Sequence, residues 1–331
     1  MKALYFDTER VYRPDHKGFC LDRFAWSLNN QISREGSMGW RHSALLFLLT
    51  TALATPAAAV DVDPGDYVAL KPGTNMLLLY GTYTDRDAIQ VPGVGLLGSD
   101  TELRSSIGLV RFVHFVKIGP FIADPQIIVP FGAIYSGRAA GQRLRSSSGI
   151  GDIMPFATLW LVHHDDPVHG TYVGFSPIVS MPTGTYSHNK AANIGGNRYT
   201  YDMQVGVVQG VARRFALEAY GDMTWYGHND DYGVDRQTLT QHRTDAVQIW
   251  GRYTLSPKTS ASIGYAGYWG GRQYVDGLYN GTKTENQQVR FAVQTFVAPG
   301  LQVEGSAGHM VHVEGGFREA IRAQIRIAKI F

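Results

Sequence analysis

Histidines and carboxylates stand close together at two places in the chain, and such groups can bind a metal or transfer protons. The first place is the run His163-His164-Asp165-Asp166, and the second joins His309 and His312 to Glu304 and Glu314. The first run falls where an extended segment ends, and adjacent side chains diverge there, so we interpret it as a turn. No serine pairs with the second group at a spacing that suggests a nucleophile. We therefore expect no metal site and no catalytic residue at either place.

The remaining chemistry-bearing motifs are few. The chain after residue 59 contains no phosphate-binding loop, no nucleophile elbow and no GxGxxG motif that opens a helix. The single cysteine, Cys20, excludes a disulfide framework and a cysteine-based zinc or iron–sulfur site. The 30 basic and 28 acidic residues give no basic excess that would bind nucleic acid. We expect a protein that is not an enzyme and has neither a cofactor nor a nucleic-acid partner.

The composition points to strands rather than helices. The 331 residues are 44% hydrophobic and only 18% charged, with 38 glycines and 18 tyrosines. A soluble domain carries about 25% charged residues. A mean hydropathy of −0.14 with one long apolar run excludes a bundle of membrane helices. The many glycines and tyrosines and the low charge favour strands joined by frequent turns, with belts of aromatic side chains.

The long apolar run resembles a secretory signal peptide. Met38 is followed by basic Arg41 and His42, the apolar stretch 44–53 and small residues that end at Ala59. We predict a signal peptide over 38–59, cleaved after Ala59. Residues 1–37 have no such pattern, and we interpret them as an over-extended start, with a genuine long leader as the alternative.

Twelve later segments alternate between apolar and polar residues, as strands do. In the last, Ile321, Ile325 and Ile327 share one face, whereas Arg322 and Arg326 share the other. The predicted strands are 74–85, 101–117, 121–135, 151–163, 171–182, 199–212, 215–229, 244–255, 259–271, 284–297, 301–312 and 318–331.

The connectors separate a soluble sandwich from a membrane barrel. Long connectors, such as 86–100 and 230–243, take turns with tight ones, such as 213–214; two connectors, 164–170 and 313–316, blur the rule. Outer-membrane barrels have this asymmetry, and sandwiches do not. Phe331 after an amphipathic strand resembles the signal that barrel-assembly machinery recognises, although Lys329 departs from it. We predict an all-β fold: one antiparallel transmembrane β-barrel of about twelve strands over 74–331, surrounded by lipid in the bacterial outer membrane.

Two groups of side chains have predicted positions in this barrel. We expect strand aromatics to gather at the two lipid interfaces; they are Tyr80, Tyr83, Trp160, Tyr220, Trp225, Tyr226, Trp250, Tyr253, Tyr265, Tyr268 and Trp269. We expect the following charged residues to line the lumen: Glu218, Asp222, Arg252, Arg290, Glu304, Arg322 and Arg326. Such charges either pair to brace the wall or form a partly cationic passage for a small acidic or aromatic solute. Residues 60–73 are either a periplasmic segment or a plug.

Several motifs resemble one known family. They are Asp61-Val62-Asp63-Pro64-Gly65-Asp66-Tyr67 with Pro72-Gly73-Thr74-Asn75, then Gly149-Ile150-Gly151-Asp152, Met181-Pro182-Thr183-Gly184-Thr185-Tyr186 and Asn193-Ile194-Gly195-Gly196-Asn197-Arg198-Tyr199. The chain from about residue 60 to 331 resembles the MetA-pathway of phenol degradation family. The resemblance implies an outer-membrane barrel encoded near aromatic-degradation genes, with no established catalytic residue.

We therefore predict a channel for the uptake of small, aromatic or hydrophobic compounds. Two other functions stay open, a lipid-acting outer-membrane enzyme and a structural or adhesive barrel. The enzyme needs a serine–histidine pair on the outer wall, and adhesion needs larger loops than these connectors of about fifteen residues provide.

Overall fold

Antiparallel strands make up the described part of the chain. The computed structural model describes residues 61–91, 94–166 and 168–331, so the predicted leader and signal peptide lie outside the described residues. Within these ranges, twelve long strands follow one another: β1 (Asn75–Val91), β2 (Glu102–His114), β3 (Phe121–Ala139), β4 (Met154–His164), β5 (Thr171–Ser180), β6 (Thr200–Ala212), β7 (Phe215–Tyr226), β8 (Thr244–Ser256), β9 (Thr259–Gly270), β10 (Asn286–Ala298), β11 (Leu301–Val313) and β12 (Gly316–Ile330).

The sheet closes on itself. Each long strand pairs with the next, and β1 pairs with both β2 and β12, through registers such as Asn75 with His114 and Met76 with Ile330. Backbone N–H and C=O groups in hydrocarbon have no water partner, so a spanning sheet must leave no open edge. None of the described residues forms a helix with the length and hydropathy needed to cross a bilayer. The predicted all-β, twelve-stranded antiparallel barrel is confirmed.

The connectors also alternate in the structure. At one end of the barrel they are short, as at 213–214, 257–258 and 299–300. At the other end they run long, as at 140–153, 181–199 and 227–243. Short turns face the periplasm and long loops face outward in such barrels. Eight further short strands decorate the connectors: Gly95–Leu97, Val116–Ile118, Gln142–Arg143, Ser148–Ile150, Asn229–Tyr232, Gln237–Gln241, Gln273–Val275 and Leu278–Tyr279, the last four forming a separate sheet.

The distribution of side chains is inverted relative to a soluble protein. Val293 and Ile325 on the outer wall are 52% and 61% exposed, whereas Glu218 on the inner wall is 1% exposed. Charged residues are almost never this buried unless they are paired. A wall that is apolar outside and charged inside fits lipid tails outside and a polar lumen within.

Six of the predicted belt aromatics are in the wrong place. Tyr80, Trp160, Tyr220, Tyr226, Trp250 and Tyr268 point into the barrel, where four of them are less than 9% exposed. Successive residues of a strand face opposite sides, so Tyr220 must share the inner face with Glu218 and Asp222. Tyr83, Trp225, Tyr253 and Trp269 are on the lipid-facing side, each at least 36% exposed.

We expect Ile325→Arg to destabilise the folded barrel by about 2–4 kcal/mol, because it places a guanidinium against lipid tails. Folding into phospholipid vesicles at graded urea concentrations measures this loss. The control Ile325→Leu should change stability by less than about 1.5 kcal/mol. An arginine variant as stable as the leucine variant would contradict a lipid-facing position.

Candidate functional site: a charged lumen filled by residues 61–70

Charged and polar side chains cover the inner wall. Arg252 donates from Nε to Glu218 Oε1 at 2.6 Å, and Tyr220 donates its hydroxyl hydrogen to Glu218 Oε2 at 2.6 Å. Arg326 donates to Glu304 Oε2 at 2.7 Å, and both residues are at most 3% exposed. In these two pairs, each buried charge therefore has an opposite charge beside it.

All seven predicted lumen residues face inward. Asp222 accepts a hydrogen bond from Gln204. Arg290 and Arg322 both form ion pairs with the same carboxylate. That carboxylate belongs to Asp61, which is outside the strands. The charges of the wall therefore pair with one another and also with a segment of chain that precedes the barrel.

Residues 61–70, the lumen segment, lie inside the barrel. The Gly65 amide donates to Glu218 Oε2 at 2.7 Å and the Val62 amide donates to Gln248 Oε1 at 3.1 Å. Trp250 donates from its indole to the Val62 carbonyl at 3.1 Å. These contacts come from β7 and β8, and others come from β2, β10 and β12, so the wall holds the segment from several sides.

A tight turn gives the lumen segment its shape. The Asp66 amide donates to the Asp63 carbonyl at 3.2 Å, and Gly65 between them has φ +84°. Proline at the second position and glycine with positive φ at the third define a type II turn. The turn places the carboxylates of Asp63 and Asp66 in the lumen.

Four arginines bind the three carboxylates of the lumen segment. Asp61 lies 2.8 Å from both Arg290 Nη2 and Arg322 Nη2. Arg326 Nη1 lies 2.6 Å from Asp66 Oδ1 and 3.3 Å from Asp63 Oδ2. The fourth arginine donates at 2.9 Å to the second oxygen of the Asp66 carboxylate; it is Arg111 of β2. Ion pairs this buried are far less screened by salt than surface pairs.

Tyr67 packs the lumen segment against the wall. Its hydroxyl bonds Ser176 Oγ at 2.7 Å and Gln204 Oε1 at 2.6 Å. A Cβ atom at Gly206 would lie only 2.2 Å from the Tyr67 ring. The ring also meets Trp160 edge-on, with centroids 5.7 Å apart. A glycine in mid-strand is therefore required here so that an aromatic ring can lie flat on the wall.

Cavities remain on both sides of the lumen segment. The outer cavity, of about 440 Å³, lies among Arg86, Tyr268, Thr284 and Arg322, toward the long loops. The inner cavity, of about 250 Å³, lies among Met76, Phe115 and Ile330, toward the short turns. Asp61 lines both cavities. The lumen segment thus separates the two cavities, which we call the outer and the inner vestibule.

The histidines of the two clusters noted in the sequence lie toward the ends of β4 and β11, where their neighbours form turn and ion-pair contacts. The Asp166 side chain accepts from the His169 and Val168 amides at 2.5 and 2.8 Å, which lowers the pKa of the Asp166 carboxyl. His163 and His164 are the last residues of β4, and the turn follows them. His312, Glu285 and Glu314 place ligand atoms within 4.8 Å of one another. Lys283 Nζ already lies 2.5 Å from both glutamates, and these contacts raise the pKa of Lys283. A metal ion would have to displace this ammonium group.

We expect Arg326→Gln to cost about 3–5 kcal/mol of unfolding free energy, because it leaves Glu304 and Asp63 buried without their ion-pair partner and leaves Asp66 with Arg111 alone. Urea titration of the detergent-folded protein measures it. Arg138→Gln is the control, since Arg138 is 55% exposed in its pair with Asp100, and should cost less than about 1 kcal/mol. Equal losses in the two variants would show that the lumen pairs do not hold the structure.

Comparison with known proteins places the chain in a family. A family profile described as the MetA-pathway of phenol degradation matches residues 83–326. No curated protein matches significantly. The crystal structure of the COG4313 outer membrane channel from Pseudomonas putida F1 is similar, with 30% identity, coverage of 82% of this chain and 100% of that chain, and a TM-score of 0.78. The transport unit of the autotransporter AIDA-I from Escherichia coli shares the fold alone, at 9% identity, coverage of 86% and 97%, and a TM-score of 0.51. The chain therefore belongs to the MetA-pathway of phenol degradation family and is a bacterial outer-membrane β-barrel.

Proposed function

We propose that this protein is an outer-membrane channel for small solutes, in which the lumen segment narrows the passage. The observation that carries the proposal is the pair of vestibules on either side of a segment whose contacts with the wall are noncovalent. Such a segment can yield to a solute, or leave a path beside it, without breaking the wall. The solved relative described as an outer membrane channel supports the same function.

The outer vestibule favours small anions that carry an apolar part. Four arginines line it against three carboxylates, the arginines being Arg86, Arg111, Arg290 and Arg322 and the carboxylates Asp61, Asp63 and Glu319. Leucine, isoleucine, methionine and phenylalanine side chains cover other parts of its wall: Leu103, Ile107, Leu109, Ile128, Met154, Met310 and Phe317. A net positive, partly apolar cavity attracts the anion of an aromatic acid or phenol more than a sugar or a cation. The seven lumen residues predicted from the sequence, in this proposal, line the path and hold the lumen segment.

An enzymatic role has less support. In the described part of the chain, no hydrogen bond joins a serine hydroxyl to a histidine ring, and His309 on the outer wall bonds the Ala320 carbonyl instead. A lipid-acting hydrolase needs such a pair at the bilayer surface. The lumen charges are likewise used in pairing. We propose transport rather than catalysis.

Removal of residues 61–70 tests the channel function. In planar bilayers we expect the wild-type protein to pass ions weakly and the deletion variant to conduct several-fold more, because the two vestibules then join. Arg138→Gln, at the exposed end of β3, should conduct as the wild type does. A folded deletion variant with no gain in conductance would contradict the proposal.

We propose that β12 and Phe331 form the segment that barrel-assembly machinery recognises. Phe331 is 62% exposed, and its amide donates to the Asn75 carbonyl at 3.0 Å, beside the strand that closes the barrel. We expect Phe331→Ala to lower the amount of folded protein in the outer membrane several-fold, measured by heat-dependent gel mobility. Refolding of the purified variant in detergent, which needs no machinery, should match the wild type. A variant that accumulates normally in cells would contradict the proposal.

A further inference from the structure

The family motifs in the long loops meet at one place near the outer end of the barrel. Asp152 accepts the Gly184 amide at its Oδ1 atom at 2.8 Å and the Gly196 amide at its Oδ2 atom at 2.7 Å. Gly184 and Gly196 belong to the two motifs of connector 181–199, and Asp152 belongs to connector 140–153. One carboxylate thus ties two loops together. The strand predicted over 151–163 begins at Met154 in the structure, and Asp152 lies in the connector before it.

Glycines make this junction compact. A Cβ atom at Gly184 would lie 2.7 Å from the Gly151 carbonyl carbon, and one at Gly195 would lie 2.7 Å from the carbonyl carbon of Gly184. Real Cβ atoms do not approach backbone this closely, so three backbone segments pack together only because side chains are absent. The junction is a fixed wall rather than a loose loop.

A cavity of about 260 Å³, the loop cavity, lies behind this wall. Tyr186, Asn193, Asn229 and Tyr232 line it with polar groups, and Met154, Ile178 and Leu239 add apolar surface. Ligand pockets combine apolar walls with a few placed polar groups in this way. Pockets for drug-sized ligands begin at about 300 Å³, so a smaller molecule suits this space.

Arg198 lines the loop cavity without a direct ion-pair partner. It is 6% exposed, and its guanidinium donates from Nη2 to Gln241 and lies 4.7 Å from the centre of the Tyr226 ring. Its Nη1 atom has no hydrogen-bond partner, and among the described residues no carboxylate oxygen comes within 4.0 Å of its nitrogens. Burial lowers the pKa of Arg198, which reflects the cost of a charge held away from water. By contrast, Arg252, Arg290, Arg322 and Arg326 in the lumen each have a carboxylate partner.

We propose that the loop cavity is a binding site for a small organic monocarboxylate, with the carboxylate on Arg198 and the apolar part against Ile178 and Leu239. An anion on Nη1 would supply both the missing hydrogen bond and a direct ion-pair partner. Lys190 adds a second positive charge to the cavity lining, and Asp152 and Asp202 add two negative charges, so a second negative charge on the ligand would be repelled. The class is therefore a monoacid about the size of one aromatic ring.

Titration calorimetry of the detergent-folded, full chain with sodium benzoate tests the site. We expect benzoate to bind the wild type and to bind Arg198→Gln at least about tenfold more weakly, because a charge-assisted hydrogen bond is lost. Arg198→Lys should bind with intermediate affinity, since it keeps the charge but not the planar donor pair. Benzyl alcohol, which lacks the charge, and phthalate, which has two, should bind more weakly than benzoate.

A control variant and a measurement of folding separate loss of the binding site from loss of the fold. Arg138→Gln, exposed and paired with Asp100, should bind benzoate as the wild type does, and heat-dependent gel mobility reports whether each variant is folded. Benzoate binding that persists in Arg198→Gln and falls in Arg322→Gln would assign the anion to the lumen and overturn the proposal. No binding to the wild type, or equal binding of benzyl alcohol, would also overturn it. The site does not depend on conduction, so the bilayer experiment on the deletion variant can fail or succeed separately.

Discussion

Everything in this molecule depends on the closure of a sheet in a solvent that offers no hydrogen bonds. The pairing of β1 with β12 removes the last free edge, and the outer wall is then free to be apolar, as at Val293 and Ile325. Closure with twelve strands has a cost, because a ring of this size is wider than the barrels that wall side chains alone can fill. A second set of groups must occupy the interior.

Ion pairs between the wall and the lumen segment fill the interior of the barrel, and they limit which side chains can be removed from it. Arg326 bonds Glu304 of the wall and both Asp63 and Asp66 of the lumen segment, with 3% of its own surface exposed. Removal of Arg326 leaves Glu304 and Asp63 buried without their ion-pair partner, so the interior tolerates loss of a whole set better than loss of a part. The lumen segment is therefore a structural element of the barrel and an obstruction of its lumen for the same physical reason.

The alternation of residue types predicted the barrel and placed the lumen charges, because strand geometry allows a side chain only two faces. It did not decide between a tail and a plug, since Asp61 finds its partners on β10 and β12, more than 200 residues away. A local signal existed in Pro64-Gly65, which is typical of a tight turn, and in Gly206, a mid-strand glycine that leaves room for Tyr67. The prediction of aromatic belts is wrong at Tyr220 and Trp250 because it rests on residue type and ignores which face of the strand each residue occupies.

The arginines Arg198, Arg290 and Arg322 differ in whether a carboxylate already pairs with them, and this difference bears on where an anion binds. Arg290 and Arg322 share Asp61, so an anion that enters the outer vestibule must compete with a carboxylate already in place. Arg198 has no such partner within ion-pair distance, and an anion there meets a guanidinium that the protein already holds largely away from water. We therefore expect an anion to bind at Arg198 before it binds at Arg290 and Arg322, where it would have to displace Asp61. Competition of this kind weakens the hold on the lumen segment only while the anion is present.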